Sequence, residues 1–291
     1  MTQTIHNVTV LGSGVLGSQI AFQAAFHGFA VTVYDINDDI LADARKRFGA
    51  LAEVYATQAP TPEGVDGKAA ADQALAGLRY SSDLADAAKD ADLVIEAIPE
   101  ILDLKRKVFG NLNDVAPSST IFATNSSTLL PSDIADATGR PDRFLALHFA
   151  NEVWLHNTAE IMGTAQTDPE VFDTIVDFAT KIGAVPIPMH KEKAGYVLNS
   201  LLVPFLTAAL ELAADGYAEP HDVDKVWSIA TGAPLGPFRI FDIVGLHTPY
   251  NIMANGTDLE RRLAQWLKDN YIDQGKLGRA SGEGFYTYPQ N

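Results

Sequence analysis

One stretch constrains the fold more than any other: VTVLGSGVLGSQIAFQAAFHG, from Val8 to Gly28. A short apolar, β-branched run ends in Gly12-Ser13-Gly14-Val15-Leu16-Gly17, a G-x-G-x-x-G, and passes directly into a helical stretch. Alone the pattern is weak; between a strand and a helix it is specific. Each glycine has a task. Gly12 makes the tight turn, Gly14 lets backbone approach a pyrophosphate, and Gly17 lets the helix pack closely on the strand. Val15 and Leu16 open the helix, so their N–H groups face the same anion. A second strand, AVTVYD, ends at Asp35, where a carboxylate accepts hydrogen bonds from a ribose and repels a 2′-phosphate. The cofactor expected is therefore NAD rather than NADP. Asn37 and Asp38 suffice to cap the next helix, which leaves Asp35 free for this role.

The first half continues to alternate. Apolar runs at 92–98, 120–125 and 143–149 are separated by helical stretches and by a connection containing Pro60, Gly64 and Gly67. Strands apolar on both faces, alternating with helices, predict an α/β doubly wound parallel sheet covered on both sides. After AVPIP (184–188) the signals become almost wholly helical: a long apolar helix between Gly195 and Gly216, then helices near 221–230, 237–253 and 257–272. The expected division is 1–188 for the sheet domain and 189–291 for an all-α domain, which agrees with a length of 291 residues at ~150 per domain.

Composition narrows the partners. With 21 Lys+Arg against 37 Asp+Glu the net charge is −16, so nucleic acid and anionic membrane are not expected to bind. The longest apolar run, Leu201–Leu210, is broken by Pro204 and Thr207 and falls short of the ~18 residues of a membrane span, so none is expected. There is no cysteine, which excludes disulfides and thiolate chemistry and fits a reducing cytoplasm. No His/Asp/Glu cluster has ligand spacing, so no metal is expected.

Three segments carry candidate chemistry. Asn125-Ser126-Ser127-Thr128 follows a strand end, where ligands bind in such sheets, and is longer than a helix cap requires. His148 ends an apolar strand, and Glu160 lies 12 positions on in a β-like segment. If the two segments lie side by side, the carboxylate can orient the imidazole and stabilise its cation. Spacing alone leaves a structural histidine as the commoner reading. Asn199, inside an apolar helix, either binds backbone freed by Pro204 or faces a cleft. Of the other histidines, His27 sits where a cation suits a helix C-terminus, and His221 has no evident partner. Trp154 reads as core, with a pocket wall as its alternative.

Taken together, GSGVLGSQIA, Asp35, DLVIEAIPE, TIFATNSSTL, RFLALHFAN with Glu160, AGYVLNSLLVP, GAPLGPFRIFDIVGL and GEGFYTY resemble the 3-hydroxyacyl-CoA dehydrogenase family, and within it look closest to bacterial diketoreductases. The resemblance covers nearly the whole chain. It implies a Rossmann-type domain followed by a helical domain that forms much of a homodimer interface, and NAD-dependent interconversion of a 3-hydroxyacyl and a 3-ketoacyl compound. By motif, His148 matches the family's catalytic histidine, Glu160 its carboxylate partner, Ser127 and Asn199 the groups on the substrate oxygen, and Asn151 a substrate-side asparagine. Glu100 and Lys105 match residues near the nicotinamide. The departures point to the substrate. Where the family reads HFFNPV this chain has Ala150 and Glu152; His156 stands where Met is frequent and Ala280 where Lys is. Leu51 to Gln58 lacks the Ser and Lys that hold coenzyme A, and the next cation along the chain is Lys68. This favours a smaller, uncharged β-keto or diketo compound, or a small hydroxy acid, over a CoA thioester. A 3-hydroxyacyl-CoA dehydrogenase proper, a dehydrogenase of a free 3-hydroxy acid, and a non-catalytic NAD-binding protein are the alternatives.

Overall fold

The structure, a computed structural model, describes residues 3–61 and 64–289. It divides into two compact units, Met1–Val197 and Leu198–Asn291.

The first unit alternates strands and helices: β1 (Asn7–Leu11), α1 (Val15–Phe26), β2 (Ala30–Tyr34), α2 (Asp38–Gln58), α3 (Gly67–Gly77), β3 (Arg79–Ser81), α4 (Leu84–Ala88), β4 (Leu93–Glu96), α5 (Leu102–Val115), β5 (Ile121–Thr124), α6 (Ser132–Ala135), β6 (Phe144–Phe149), β7 (Thr158–Gly163), α7 (Pro169–Lys181) and β8 (Val185–Met189). The eight strands form one sheet in the order β3-β2-β1-β4-β5-β6-β7-β8. All pairs are parallel except β6 with β7. The order reverses between β1 and β4, and the crevice beyond the carboxyl ends of strands at such a switch point is where ligands bind. β4, β5 and β6 are buried along their whole length, as strands covered on both faces must be. The expected sheet domain ends at residue 188, one position before the end of β8.

In the second unit the helices are α8 (Tyr196–Ala214, which begins in the first unit), α9 (Pro220–Thr231), α10 (Pro237–Val244), α11 (His247–Met253) and α12 (Asp258–Asn270). Two sequence expectations change here. The single helix expected over 237–253 is broken at Gly245, whose φ of 84° leaves the helical region while the apolar pattern continues past it. The long helix expected between Gly195 and Gly216 is α8, which runs through Pro204 for 19 residues; no stretch of spanning length is expected from the sequence, yet by length and composition alone this helix would suffice to cross a membrane. Leu206, Ala209 and Leu210 of α8 are buried in the core of this unit with Phe238, Phe241 and Leu263, while most of the helix is not buried within the chain.

Candidate active site

The phosphate loop is built as its glycines demand. Gly12 has φ 96°, and a Cβ there would lie 2.6 Å from the Ala97 carbonyl oxygen beyond the end of β4. A Cβ on Gly17 would lie 2.0 Å from the Gly12 oxygen. Gly14 is the opposite case: it is exposed, and a Cβ would meet nothing within 4 Å. Gly14 caps α1 without a side-chain hydrogen bond, and no acidic residue occupies the first turn, where exposed Val15 and half-buried Leu16 follow. An open, uncapped helix N-terminus fits a pyrophosphate. Asp35 lies beside this loop. Its Oδ2 accepts from Ser13 N at 2.8 Å and Ser13 Oγ at 2.7 Å, and its Oδ1 from Ile36 N at 2.8 Å. The cap of α2 is Asn37, which bonds Ile40 N, so capping makes no claim on Asp35.

At the other end of the cleft the antiparallel return of β7 sets His148 directly opposite Glu160. Paired residues on adjacent strands project from the same face. His148 Nδ1 lies 2.9 Å from Glu160 Oε2, and both residues are only 5% exposed. The other carboxylate oxygen, Oε1, accepts from Val197 N at 2.8 Å. With Nδ1 donating to Glu160, Nε2 is the acceptor in the neutral ring, and it sits 3.1 Å from Ser127 Oγ. The arrangement is hydroxyl, imidazole and carboxylate in series, the geometry of an oriented acid–base group.

The polar run after β5 is distributed among separate partners, and none of them is a helix cap. Asn125 Oδ1 accepts from Phe149 N at 2.9 Å and so ties the end of β5 to the end of β6. Ser126 and Thr128 bond Glu100, while Ser127 turns to His148. Hydrogen bonds, chiefly from Ser126 and Thr128, and the charge of Lys105 outweigh burial and hold the Glu100 carboxyl down at about 2. Lys105 itself is 1% exposed, 2.5 Å from Glu96 Oε1 and 3.2 Å from Glu100 Oε2. Burial pushes the Glu96 carboxyl up, against the opposing pull of Lys105.

The remaining predicted residues are more scattered. Asn151 is exposed on the bend after β6, and Asn199 lies on α8 in the second unit. Trp154 belongs to the core: its Nε1 donates to Gln58 at 3.2 Å and its ring packs on Tyr55 at 5.3 Å. His27 is not the cation expected, because burial lowers its pKa against the pull of its bond to the Gln23 carbonyl. His221 does have a partner, the Phe285 carbonyl at 2.8 Å.

Sequence reasoning missed three site residues, Tyr196, Gln19 and Glu96. Tyr196 stacks on the His148 ring at 4.5 Å and is 1% exposed. Its φ of 53° is unusual for an aromatic residue, a conformation that tends to persist where surrounding structure enforces it. Gln19 of α1 accepts from Glu152 N at 2.7 Å, which anchors the loop carrying Asn151. A tyrosine at a helix start gives no periodic signal. Glu96 does give one, an acid inside the apolar strand DLVIEAI.

The family model for the 3-hydroxyacyl-CoA dehydrogenase NAD binding domain matches residues 7–193, and that for the C-terminal domain matches 195–288. The mitochondrial hydroxyacyl-coenzyme A dehydrogenase of Mus musculus is 37% identical over 288 residues, 98% of this chain and 91% of its own. The 3-hydroxybutyryl-CoA dehydrogenase of Mycobacterium tuberculosis is 32% identical over 99% of this chain and 100% of its own. A solved diketoreductase, described in terms of substrate-directed dual catalysis of dicarbonyl compounds, is 64% identical with a TM-score of 0.93, covering 98% of this chain and 100% of that one. The chain therefore belongs to the 3-hydroxyacyl-CoA dehydrogenase family, NAD-dependent oxidoreductases that interconvert hydroxyl and keto groups.

Proposed function

We propose that the protein is a diketoreductase-like enzyme that reduces a small, uncharged β-keto or diketo compound reversibly, with His148 as the acid–base group. The observation that carries this reading is the series Ser127–His148–Glu160, with its contacts of 3.1 and 2.9 Å. NADH, when bound, supplies the hydride. In the direction of reduction the His148 imidazolium gives its Nε2 proton to the forming alkoxide, and the Glu160 carboxylate holds the ring and offsets its charge. Ser127 and Asn199 donate hydrogen bonds where the oxygen becomes negative. Asn151 lines the substrate side. Gly12, Gly14, Val15, Leu16, Gly17 and Asp35 hold the adenosine and pyrophosphate, with Glu100 and Lys105 towards the nicotinamide.

The choice of substrate rests on charge. Coenzyme A carries phosphates that basic side chains usually meet. At the end of α2, Leu51, Ala52 and Tyr55 are buried, and Lys68 already pairs with Asp72 at 2.5 Å and Glu53 at 3.8 Å. The dicarbonyl chemistry attached to the 64% identical diketoreductase points the same way. The test is oxidation of NADH followed by absorbance, with acetoacetyl-CoA and a free diketo ester in parallel. The diketo ester should show the higher kcat/KM; a clear preference for acetoacetyl-CoA would overturn the substrate assignment.

The same reading makes the protein a cytoplasmic homodimer. The second unit exposes Leu201, Val226 and Ile229 at 70%, 69% and 83%. It also holds an apolar groove of about 320 Å³ between α8 and α9, lined by Phe205, Leu212, Val226 and Trp227. Apolar surface of this kind marks an interface. Sedimentation should show a dimer that Ile229→Asp dissociates.

A further inference from the structure

Glu100 lies in the irregular segment between β4 and α5, yet most of its bonds reach a different loop, the turn after β5. Its Oε1 accepts from Ser126 Oγ at 2.5 Å, Ser127 N at 3.0 Å, Thr128 N at 2.9 Å and Thr128 Oγ1 at 2.9 Å. Its Oε2 lies 3.2 Å from Lys105 Nζ. Lys105 is held from behind by Glu96 Oε1 at 2.5 Å and the Ile98 carbonyl at 3.3 Å. Glu96 Oε2 in turn accepts from Thr124 Oγ1, at 2.7 Å, at the end of β5. The turn is thus fastened at both ends to one buried chain of charges. Ser126 Oγ also accepts from Leu129 N at 3.0 Å, which fixes the far side.

Within this turn the Ser127 side chain is handled differently from its neighbours. The hydroxyls of Ser126 and Thr128 point to Glu100, while that of Ser127 points to His148 Nε2 at 3.1 Å. A carboxylate that binds the backbone N–H of Ser127 but not its hydroxyl sets the direction of that hydroxyl and leaves it available. Burying the Lys105 pair with Glu96 is costly in itself, and such pairs are weak evidence for stability. Their geometry here serves the turn.

We infer that Glu100 is a positioning residue for turnover: anchored by Lys105, its carboxylate holds the 126–128 turn so that the Ser127 hydroxyl meets His148 Nε2 and the reacting oxygen together. The inference deepens the proposed acid–base reading and rests on it. Misplacing a catalytic group by about 1 Å can cost about 100-fold in rate.

The test is a double-mutant cycle in kcat with NADH and a free diketo ester, combined with NADH affinity measured by fluorescence. Glu100→Ala should lower kcat at saturating NADH by about 10- to 100-fold, whatever it does to the NADH Kd. Glu100→Gln, which keeps an acceptor oxygen but loses the Lys105 contact, should recover part of the rate. In a Ser127→Ala background, Glu100→Ala should have little further effect, within about twofold, because the group it positions is gone. Two results would overturn the inference: losses that multiply across the cycle, or a Glu100→Ala variant that loses NADH affinity while keeping kcat at saturation. If Glu100→Ala does not fold, the cycle with Glu100→Gln decides between the same outcomes. His148→Ala separates this inference from the reading beneath it. If that variant keeps its kcat, the acid–base assignment fails. If it collapses while the cycle is multiplicative, only the role of Glu100 fails.

Discussion

In the second unit, buried Asp224 accepts from Phe238 N, Arg239 N and Tyr286 Oη, and buried Asp242 accepts from Phe285 N, Tyr286 N and Tyr288 Oη. In the first, Glu160 accepts from one backbone amide and from an imidazole, which leads on to a hydroxyl. Both units bury carboxylates and both satisfy them, as burial requires. The difference is in the donors. Asp224 and Asp242 are closed by backbone amides and tyrosines, whose phenol protons stay in place because burial and the aspartates raise their pKa values. The Glu160 series instead runs through an imidazole to a hydroxyl, the side chains that acid–base catalysis uses. The first arrangement fastens a chain; the second is the one we propose for the chemistry. The contrast follows from donor type, since depth of burial is similar.

The largest test of that contrast is His148→Ala. General acid catalysis contributes typically 10²–10⁴-fold, so kcat should fall by that factor, with NADH binding nearly intact. Equal kcat would place the His148–Glu160 pair in the same class as Asp224 and Asp242.

Asp242→Ala is the converse. It strands the amides of Phe285 and Tyr286 and the Tyr288 hydroxyl, and it removes the carboxylate against which Gly284 is packed. Unsatisfied buried donors of this kind should cost roughly 3 kcal/mol in total, or about 6–12 °C in the melting temperature. The kcat of the folded fraction at low temperature should stay within about threefold of wild type. A large fall in kcat without a fall in melting temperature would show that the contrast is misdrawn.

Asp35 lies between the two classes. It is partly closed by Ser13 and Ile36, and in the NAD reading its remaining lone pairs take the ribose. Loss of a charged hydrogen bond costs about 1.5–3 kcal/mol. Asp35→Ala should therefore weaken NADH about 10- to 100-fold in Kd while NADPH changes little. An unchanged NADH affinity, measured by fluorescence titration, would remove Asp35 from the cofactor site.

Much of this could be read in the sequence, and what could not has physical causes. Gly12 and Gly17 reveal themselves because a Cβ has nowhere to go. His148 and Glu160 were legible as a pair only on the condition that their segments lie side by side, and the antiparallel register of β6 and β7 supplies that condition. Lys105 was expected near the nicotinamide through its motif. That it lies 1% exposed between two carboxylates depends on how β4 meets α5, which spacing does not encode. The break at Gly245 is hidden in the sequence because the apolar pattern runs through it.

The smallest effect concerns acid. Glu100 has its carboxyl held at about 2, against an ordinary value of 4.5. A carboxylate with a depressed folded-state pKa stabilises the fold fully above its unfolded value, and that stabilisation is lost as pH falls from about 4.5 towards 2. Glu96 works in the opposite sense, because burial raises its pKa. The melting curve of the wild type alone therefore mixes the two. The difference between wild type and Glu100→Gln isolates the first. Glu100 is about a third exposed, so after solvent screening the contribution is roughly 1 kcal/mol, or about 2–4 °C. That difference should be constant above pH 4.5 and shrink below it. A difference that stays flat down to pH 2.5 would show that the turn after β5 is not held by an ionised Glu100. Glu100 would then join Asp224 and Asp242 as a structural clamp.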